Sequence, residues 1–436
     1  MSRWKQRVGG SRSARIAAVA AGVVLVIATS VASAATPPNQ QRGSFSMVMN
    51  LAFKPGFDIL IANFNRVYPN IKVTPTYYSV GGTSPYATVV ATQLAAGSAP
   101  DVVWTVGGRG GPTYTQILAE ARYLDPLDGR KWTKRLLPAT KPDYQTRGKL
   151  YASELGISVL SLIMYNKDYF RQNNLQVPRT FSQLLSLCRT IASQGKIPIS
   201  WGGQTPAVNA NNVVTLAGNN VFSGDPRWYA KRLNKQVTFA GSPGWRRSVQ
   251  QALDLKNAGC FRKGFEGVSF ANMANEFASG QAVMMWTVPI LLGDVSRLNP
   301  NINFGMFPPP GVTAAQTRVT VQPQGGLALL SKAAPENKRA ALAFIDFVAR
   351  EKQARLFSRI NFLISSFDAL KGNLPTSYAD LTPFFKAENK VLSTITSKYP
   401  NTQFSNSFGA SVQGLFTGQK SVDDVLQDMD KFFALT

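Results

Sequence analysis

The side chains that perform most acid–base and metal chemistry are scarce in this sequence. Its 436 residues contain no histidine, so the commonest general base and the commonest metal ligand are both missing. Serine–histidine triads and histidine-based zinc sites are excluded. Two cysteines, Cys188 and Cys260, are too few for a four-cysteine metal site. The 23 Asp and Glu residues leave glycoside hydrolysis open, because two carboxylates suffice for it. No local motif supports that chemistry, and Glu154 and Asp101 are the residues whose replacement would test it. The run Gly107-Gly108-Arg109-Gly110-Gly111 lets backbone amides approach a ligand closely. It lacks the lysine and hydroxyl of a phosphate loop, and a plain flexible turn is its other reading.

Any site must be positioned by a framework, and the framework reads as α/β. Residues 45–49 predict a strand, followed by a helix with Leu60, Phe64 and Val67 on one face. A second strand spans 71–77. Ser84-Pro85 opens the next helix, Val90 and Leu94 lie four apart, and Gly97 ends it before a buried strand at 101–106. Thr180 caps a helix carrying Phe181, Leu184, Leu185, Cys188 and Ile191 inward, and 197–201 follows as a strand. Ser242-Pro243 starts another helix with Trp245, Val249 and Leu253 at successive i+4 positions. An apolar strand is expected at 282–286, and a helix from Pro335 should turn Leu342, Ile345 and Ala349 inward. Ser421 with Asp424 makes a capping-box-like start to a final helix bearing Leu426, Met429 and Phe433.

The amino terminus orders Arg3, Lys5, Arg7, Arg12 and Arg15 before an apolar run at 16–27 and a small-residue stretch at 30–35. Residues 1–34 therefore read as a secretory signal cleaved after Ala34, since the apolar run is shorter than the roughly 20 residues that span a bilayer. Export follows from that reading. The remaining chain is too long for one ordinary core and suits two lobes. The net charge of +24 is only partly due to the leader. Lys and Arg are scattered singly or in pairs and form no basic stripe, so a solvated surface is favoured and nucleic acid is not an expected partner.

Several segments, in order across nearly the whole mature chain, resemble the extracellular solute-binding proteins of carbohydrate ABC importers (family 1, maltose- and oligosaccharide-binding-like). They are FNRVYPNIKV at 64–73, QLAAGSAPDVVW at 93–104, LIMYNKDYF at 162–170, VPRTFSQLL at 177–185, NEFASGQAVMM at 275–285 and GGLALLSKAAPENKRAALAFIDFV at 325–348. The resemblance implies a two-lobe, type II periplasmic-binding-protein-like fold, with the lobes joined by crossing hinge segments. It places residues 45–150 plus 288–362 in lobe one and 155–285 plus 370–436 in lobe two. The crossings are expected near 151–159, 284–289 and 363–370. It further implies a monomer, without cofactor or catalysis, that captures a sugar or oligosaccharide between the lobes and hands it to the membrane permease of an importer. Relatives in Gram-positive bacteria often carry a lipid-bearing cysteine after the signal. Here Ala34-Ala35-Thr36 contains none, so no lipobox is found, and an extracellular or periplasmic protein, free or anchored by an uncleaved signal, remains open.

A sugar needs aromatic platforms for its C–H faces and hydrogen-bond partners for its hydroxyls. Ligands of open α/β sheets sit at the carboxyl ends of strands. Trp201 ends the strand before Gly202-Gly203 and is the leading platform, with a core position as its other reading. Trp104, inside a strand, reads as core. Asn50 either meets hydroxyls or makes an Asx turn. Gly107, Gly108 and Arg109 follow a strand end, and Glu154 lies at the first crossing. Trp286 and Thr287 mark the second. Gln324 and Gly325 open a strand, and Phe404 and Phe408 fall where relatives supply a further stacking residue, with core packing equally open. Export and placement on or just after two helices of one lobe predict a Cys188–Cys260 disulfide, with two separate buried thiols as the other reading.

Overall fold

The computed structural model describes residues 36–79, 85–399 and 402–434; the leader and the Ser84 cap lie outside them. A parallel pair, Gly43–Asn50 with Ile71–Tyr78, begins the first sheet and runs in unbroken register from Gly43↔Ile71 to Asn50↔Tyr78. Val102–Thr105 adds in parallel, then Gly326–Leu329 and Ser153–Glu154 antiparallel. Between the first two strands, the helix Lys54–Val67 buries Gly56, Phe57, Leu60 and Phe64. Gly56 is required there by a close approach, since a Cβ would stand 2.2 Å from Asn361 Nδ2 and 2.8 Å from the Phe357 ring. Phe64, Tyr68, Phe344 and Phe347 then interlock above the sheet with ring centroids 4.5–6.4 Å apart. The helix Pro335–Val348 turns Ile345 inward as expected, with Ala341, Phe344 and Phe347 beside it and Ala349 buried just past its end, while Leu342 is half-buried.

The second sheet has the order Phe304–Phe307, Leu162–Asn166, Ala282–Thr287, Ile197–Ser200. Ala282–Thr287 is buried at every position, as a strand covered on both faces must be. Thr180 and Gln183 form a reciprocal capping box on the helix Phe181–Ser193, which buries Phe181, Leu184, Leu187, Cys188 and Ile191. Leu187 takes the inward place expected of Leu185. Cys188 is disulfide-bonded to Cys260, just beyond the helix Pro243–Asn257. The edge strand Phe304–Phe307 has its Met306 N–H capped by the Asp380 carboxylate at 3.1 Å, so this outer edge does not present all its donors to solvent.

The helix Pro206–Ala217, continued as a π-helical turn through Phe222, has no counterpart in the sequence reading. Its asparagines explain the omission. Asn209, Asn212 and Asn219 break an apolar helical pattern yet are buried, because each amide serves a distant partner. Asn209 accepts from Trp201 Nε1 at 2.8 Å, Asn212 donates to the Trp286 carbonyl at 3.2 Å, and Asn219 donates to the Pro309 carbonyl at 2.8 Å.

Two separate apolar cores result, one under each sheet. A small third sheet, with Val319–Pro323 between Val391–Ser393 and Ile157–Val159, stands beside the passage from one core to the other. The chain passes between the two cores at 154–159 and near 363–366, where Ile157 and Ile364 exchange backbone hydrogen bonds of 2.9 and 2.8 Å. The middle crossing differs from the expectation at 284–289. After Thr287 the chain stays with the second core, giving it Leu291, Val295, Met306, Phe307, Val319 and Val321, and enters the first only with Leu327. The cause is pairing, because Phe304–Phe307 closes the edge of the second sheet beside Leu162–Asn166. The buried apolar residues of 288–323, a stretch the resemblance places in lobe one, pack with the second core.

Candidate functional site

In the first sheet, the ends of Gly43–Asn50 and Val102–Thr105 lie beside Gly326 and Glu154 through the pairs Gly326↔Thr105 and Gly326↔Glu154. This brings Asn50, Gly107–Arg109, Gln324–Gly325 and Glu154 to one edge. In the second sheet, Ser200↔Met285 and Thr287↔Leu162 bring Trp201 and Thr287 to the end that receives the chain from Ile157–Val159. Both sheets therefore present ligand-competent ends toward the crossing segments.

The individual side chains are more committed to structure than the sequence reading allowed. Asn50 Oδ1 accepts from Ala52 N at 3.0 Å, an Asx turn. Gly107 faces Asp143, Tyr144 and Pro323, where a Cβ would find atoms at 3.0–3.2 Å, and Gly108, at φ +98°, donates its N–H to the Asp143 carbonyl. Gly325 has φ +99° and leaves no room for a Cβ against the Trp104 indole, so its glycine is dictated by that ring. Arg109 forms two 3.0 Å hydrogen bonds to Glu120. It also faces the other lobe, where its charge opposes the upward push that burial exerts on the Tyr229 hydroxyl. Trp201 is 1% exposed, edge-on to Trp286 and Phe416 and tilted on Phe261. Trp286, Thr287, Phe404 and Phe408 are equally buried. The two phenylalanines pack with Phe239, Tyr399, Phe433 and Trp245. These aromatic positions are those of core residues.

Of the polar groups at the crossings, Gln322, Gln324 and Ser158 are partly accessible, while Asp143 and Glu154 are buried. Gln324 Nε2 donates to Ser158 Oγ at 2.8 Å, and Gln322, two residues earlier on the same face, reaches that hydroxyl at 3.4 Å. All three are half-buried. Gln322 and Ser158 were absent from the sequence reading, although Gln322 and Gln324 at period two were a usable signal. Asp143, attached to the first core by Tyr144, accepts from Ser393 Oγ at 2.5 Å and pairs with Lys398 at 3.2 Å. Burial pushes its pKa up against both partners. Glu154 is fully enclosed, accepting from Thr140 Oγ1 at 2.6 Å and from Ser366 Oγ. Burial pushes its pKa up to about 7, against those hydrogen bonds. Among the described residues no group of three or more acidic or thiol side chains could hold a metal, and no helix is long and apolar enough to cross a membrane.

A family model for bacterial extracellular solute-binding proteins matches residues 53–355. The chain belongs to that family. A relative in the solute-binding proteins, the multiple sugar-binding protein of Streptococcus mutans, is 24% identical over 75% of this chain and 75% of its own. An uncharacterized ABC transporter extracellular-binding protein of Pyrococcus horikoshii is 21% identical over 86% and 80%. Among solved structures, the apo form of RafE from Streptococcus pneumoniae superposes with a TM-score of 0.75 at 18% identity, covering 90% of this chain and 97% of that one. RafE in complex with raffinose gives 0.70 at 18% identity, over 89% and 98%. These likenesses show the two-lobe solute-binding fold.

Proposed function

We propose that this protein captures a sugar or oligosaccharide in the cleft between its lobes and delivers it to the permease of an ABC importer. The observation that carries the reading is the opposition of two separately cored sheets, strand ends facing shared crossings, in a chain of the solute-binding family. The sugar-binding relative from Streptococcus mutans supports the ligand class. Lobe one comprises residues 43–155 and 324–363, and lobe two comprises 156–323 and 364–434. The protein acts outside the cytoplasm as a monomer and leaves its ligand chemically unchanged. Arg109, Gln322, Gln324 and Ser158 contribute polar contacts to the cleft, with Asn50 and the backbone of Gly107 and Gly108 beside them. Trp201, Trp286 and Thr287 back its far wall from within the second core. The test is native mass spectrometry of protein purified without refolding, followed by thermal unfolding across a sugar panel. Release of an intact sugar that also raises the unfolding temperature is expected, since a ligand that binds only the folded state stabilises it. Hydrolysis of that sugar by the protein, or no shift with any sugar, would overturn the reading.

A further inference from the structure

Between the edge strand Phe304–Phe307 and the segment 379–384 lies a groove of about 550 Å³, a volume suited to a small organic ligand. None of its lining residues is among the cleft candidates. Tyr165, Phe307 and Phe384 supply aromatic walls, Pro178, Pro308 and Pro310 stiffen the surrounding loops, and Pro383 lies in the first turn of the helix Thr382–Lys386. The Tyr165 and Phe307 rings stand 5.8 Å apart. Three polar side chains reach the groove with unequal freedom. Asp380 is engaged by Met306 N and by Lys167 at 3.3 Å. Thr317 accepts from Gly311 N at 3.0 Å. Arg179 contributes only its backbone N–H to the structure, donating to Gln183 Oε1 at 2.8 Å, and no described carboxylate pairs with its exposed guanidinium.

We propose that this groove is a second small-molecule site, which takes a compact hydrophobic carboxylate with an aromatic or branched aliphatic body. The apolar body rests on Tyr165, Phe307 and Phe384, and the carboxylate pairs with Arg179. A guanidinium matches a carboxylate in bidentate geometry, which a neutral amide or alcohol cannot reproduce. A cationic ligand would meet Arg179, and Asp380 already has its partner. The site stands independently of the sugar reading, because it shares no residue with the cleft.

Saturation-transfer NMR on the full chain tests this with phenylacetate and isovalerate as probes, against phenylacetamide and phenethylamine. Phenylacetate is expected to bind about tenfold more tightly than phenylacetamide. Arg179→Gln, whose thermal unfolding should match wild type, is expected to erase that preference, and Arg179→Glu to transfer it to phenethylamine. Phe384→Ala should weaken phenylacetate and phenylacetamide together. Absence of transfer to both carboxylates, or a carboxylate preference that survives Arg179→Gln, would overturn the proposal.

Discussion

Glu154 is enclosed by Thr140 from one side of the first crossing and Ser366 from the start of the helix after the third. Two hydroxyl donors do not replace the hydration an ionised carboxylate loses, so the neutral acid is favoured and the pKa rises from 4.5 to about 7. A folded-state value above the unfolded one contributes stability that is fully present below the unfolded pKa and is lost as pH rises through the folded one. The interval runs from about 4.5 to about 7, and the loss across it is about 3 kcal/mol. Glu154→Gln fills the same space without ionising. Urea unfolding followed across this interval should show wild type losing stability relative to the variant, and parallel curves would refute the account. Asp143, raised by the same cause, remains in both proteins and acts with the same sign in its own range. Trp201 yields a different expectation at this scale. With its ring among Trp286, Phe261 and Phe416 and its N–H on Asn209, Trp201→Ala should cost about 3–5 kcal/mol of folding stability. Denaturant titration measures it, and a loss below about 1 kcal/mol would show that the ring is not packed as described. The sequence could not separate core from platform at Trp201, because a strand-end tryptophan looks the same in both. The deciding neighbours come from residues 209, 261, 286 and 416.

At the scale of elements, the disulfide joins the helix Phe181–Ser193 to the exit of Pro243–Asn257 across 72 residues. Closing a loop of that length in the unfolded chain corresponds to about 4 kcal/mol in the chain-entropy model. Replacing both cysteines by alanine should lower stability by up to that amount, measured by urea unfolding, while thiol labelling of the denatured, unreduced wild type should find no free thiol. Helix starts were legible where a cap and an apolar stripe coincided, as at Thr180 and, with a proline in the first turn, at Ser242-Pro243. The final helix, with Leu426, Met429 and Phe433 buried, was legible for the same reason. The middle crossing was not. The run 282–286 is continuously apolar whether a strand ends in one core or spans two, and only the pairing of Ala282–Thr287 with Leu162–Asn166 and Ile197–Ser200 reveals which. The actual crossing, Val319 to Gly326, carries Gln322 and Gln324 on one face, a pattern of a strand half-open to solvent.

At the scale of the molecule, two cores joined by three short passages define how the protein can move. Each lobe buries its own aromatic cluster, so the least costly deformation leaves both cores intact and changes dihedrals only in the crossings. Asp143 with Ser393 and Lys398, and Glu154 with Thr140 and Ser366, tie these passages together. In a rotation about these passages, contacts so close to the pivot should move little and steady its axis. A sugar that touches both lobes gains contacts only when they approach, and that difference in affinity is the free energy available to shift the balance toward closure. Small-angle scattering should therefore report a smaller radius of gyration with the cognate sugar than without it. Urea unfolding should show that Gln324→Ala leaves the fold intact, while removing an amide from the crossing should weaken sugar binding by about 1 kcal/mol and raise the concentration needed for compaction. A sugar-bound protein as extended as the free one would refute closure by rotation about these three segments.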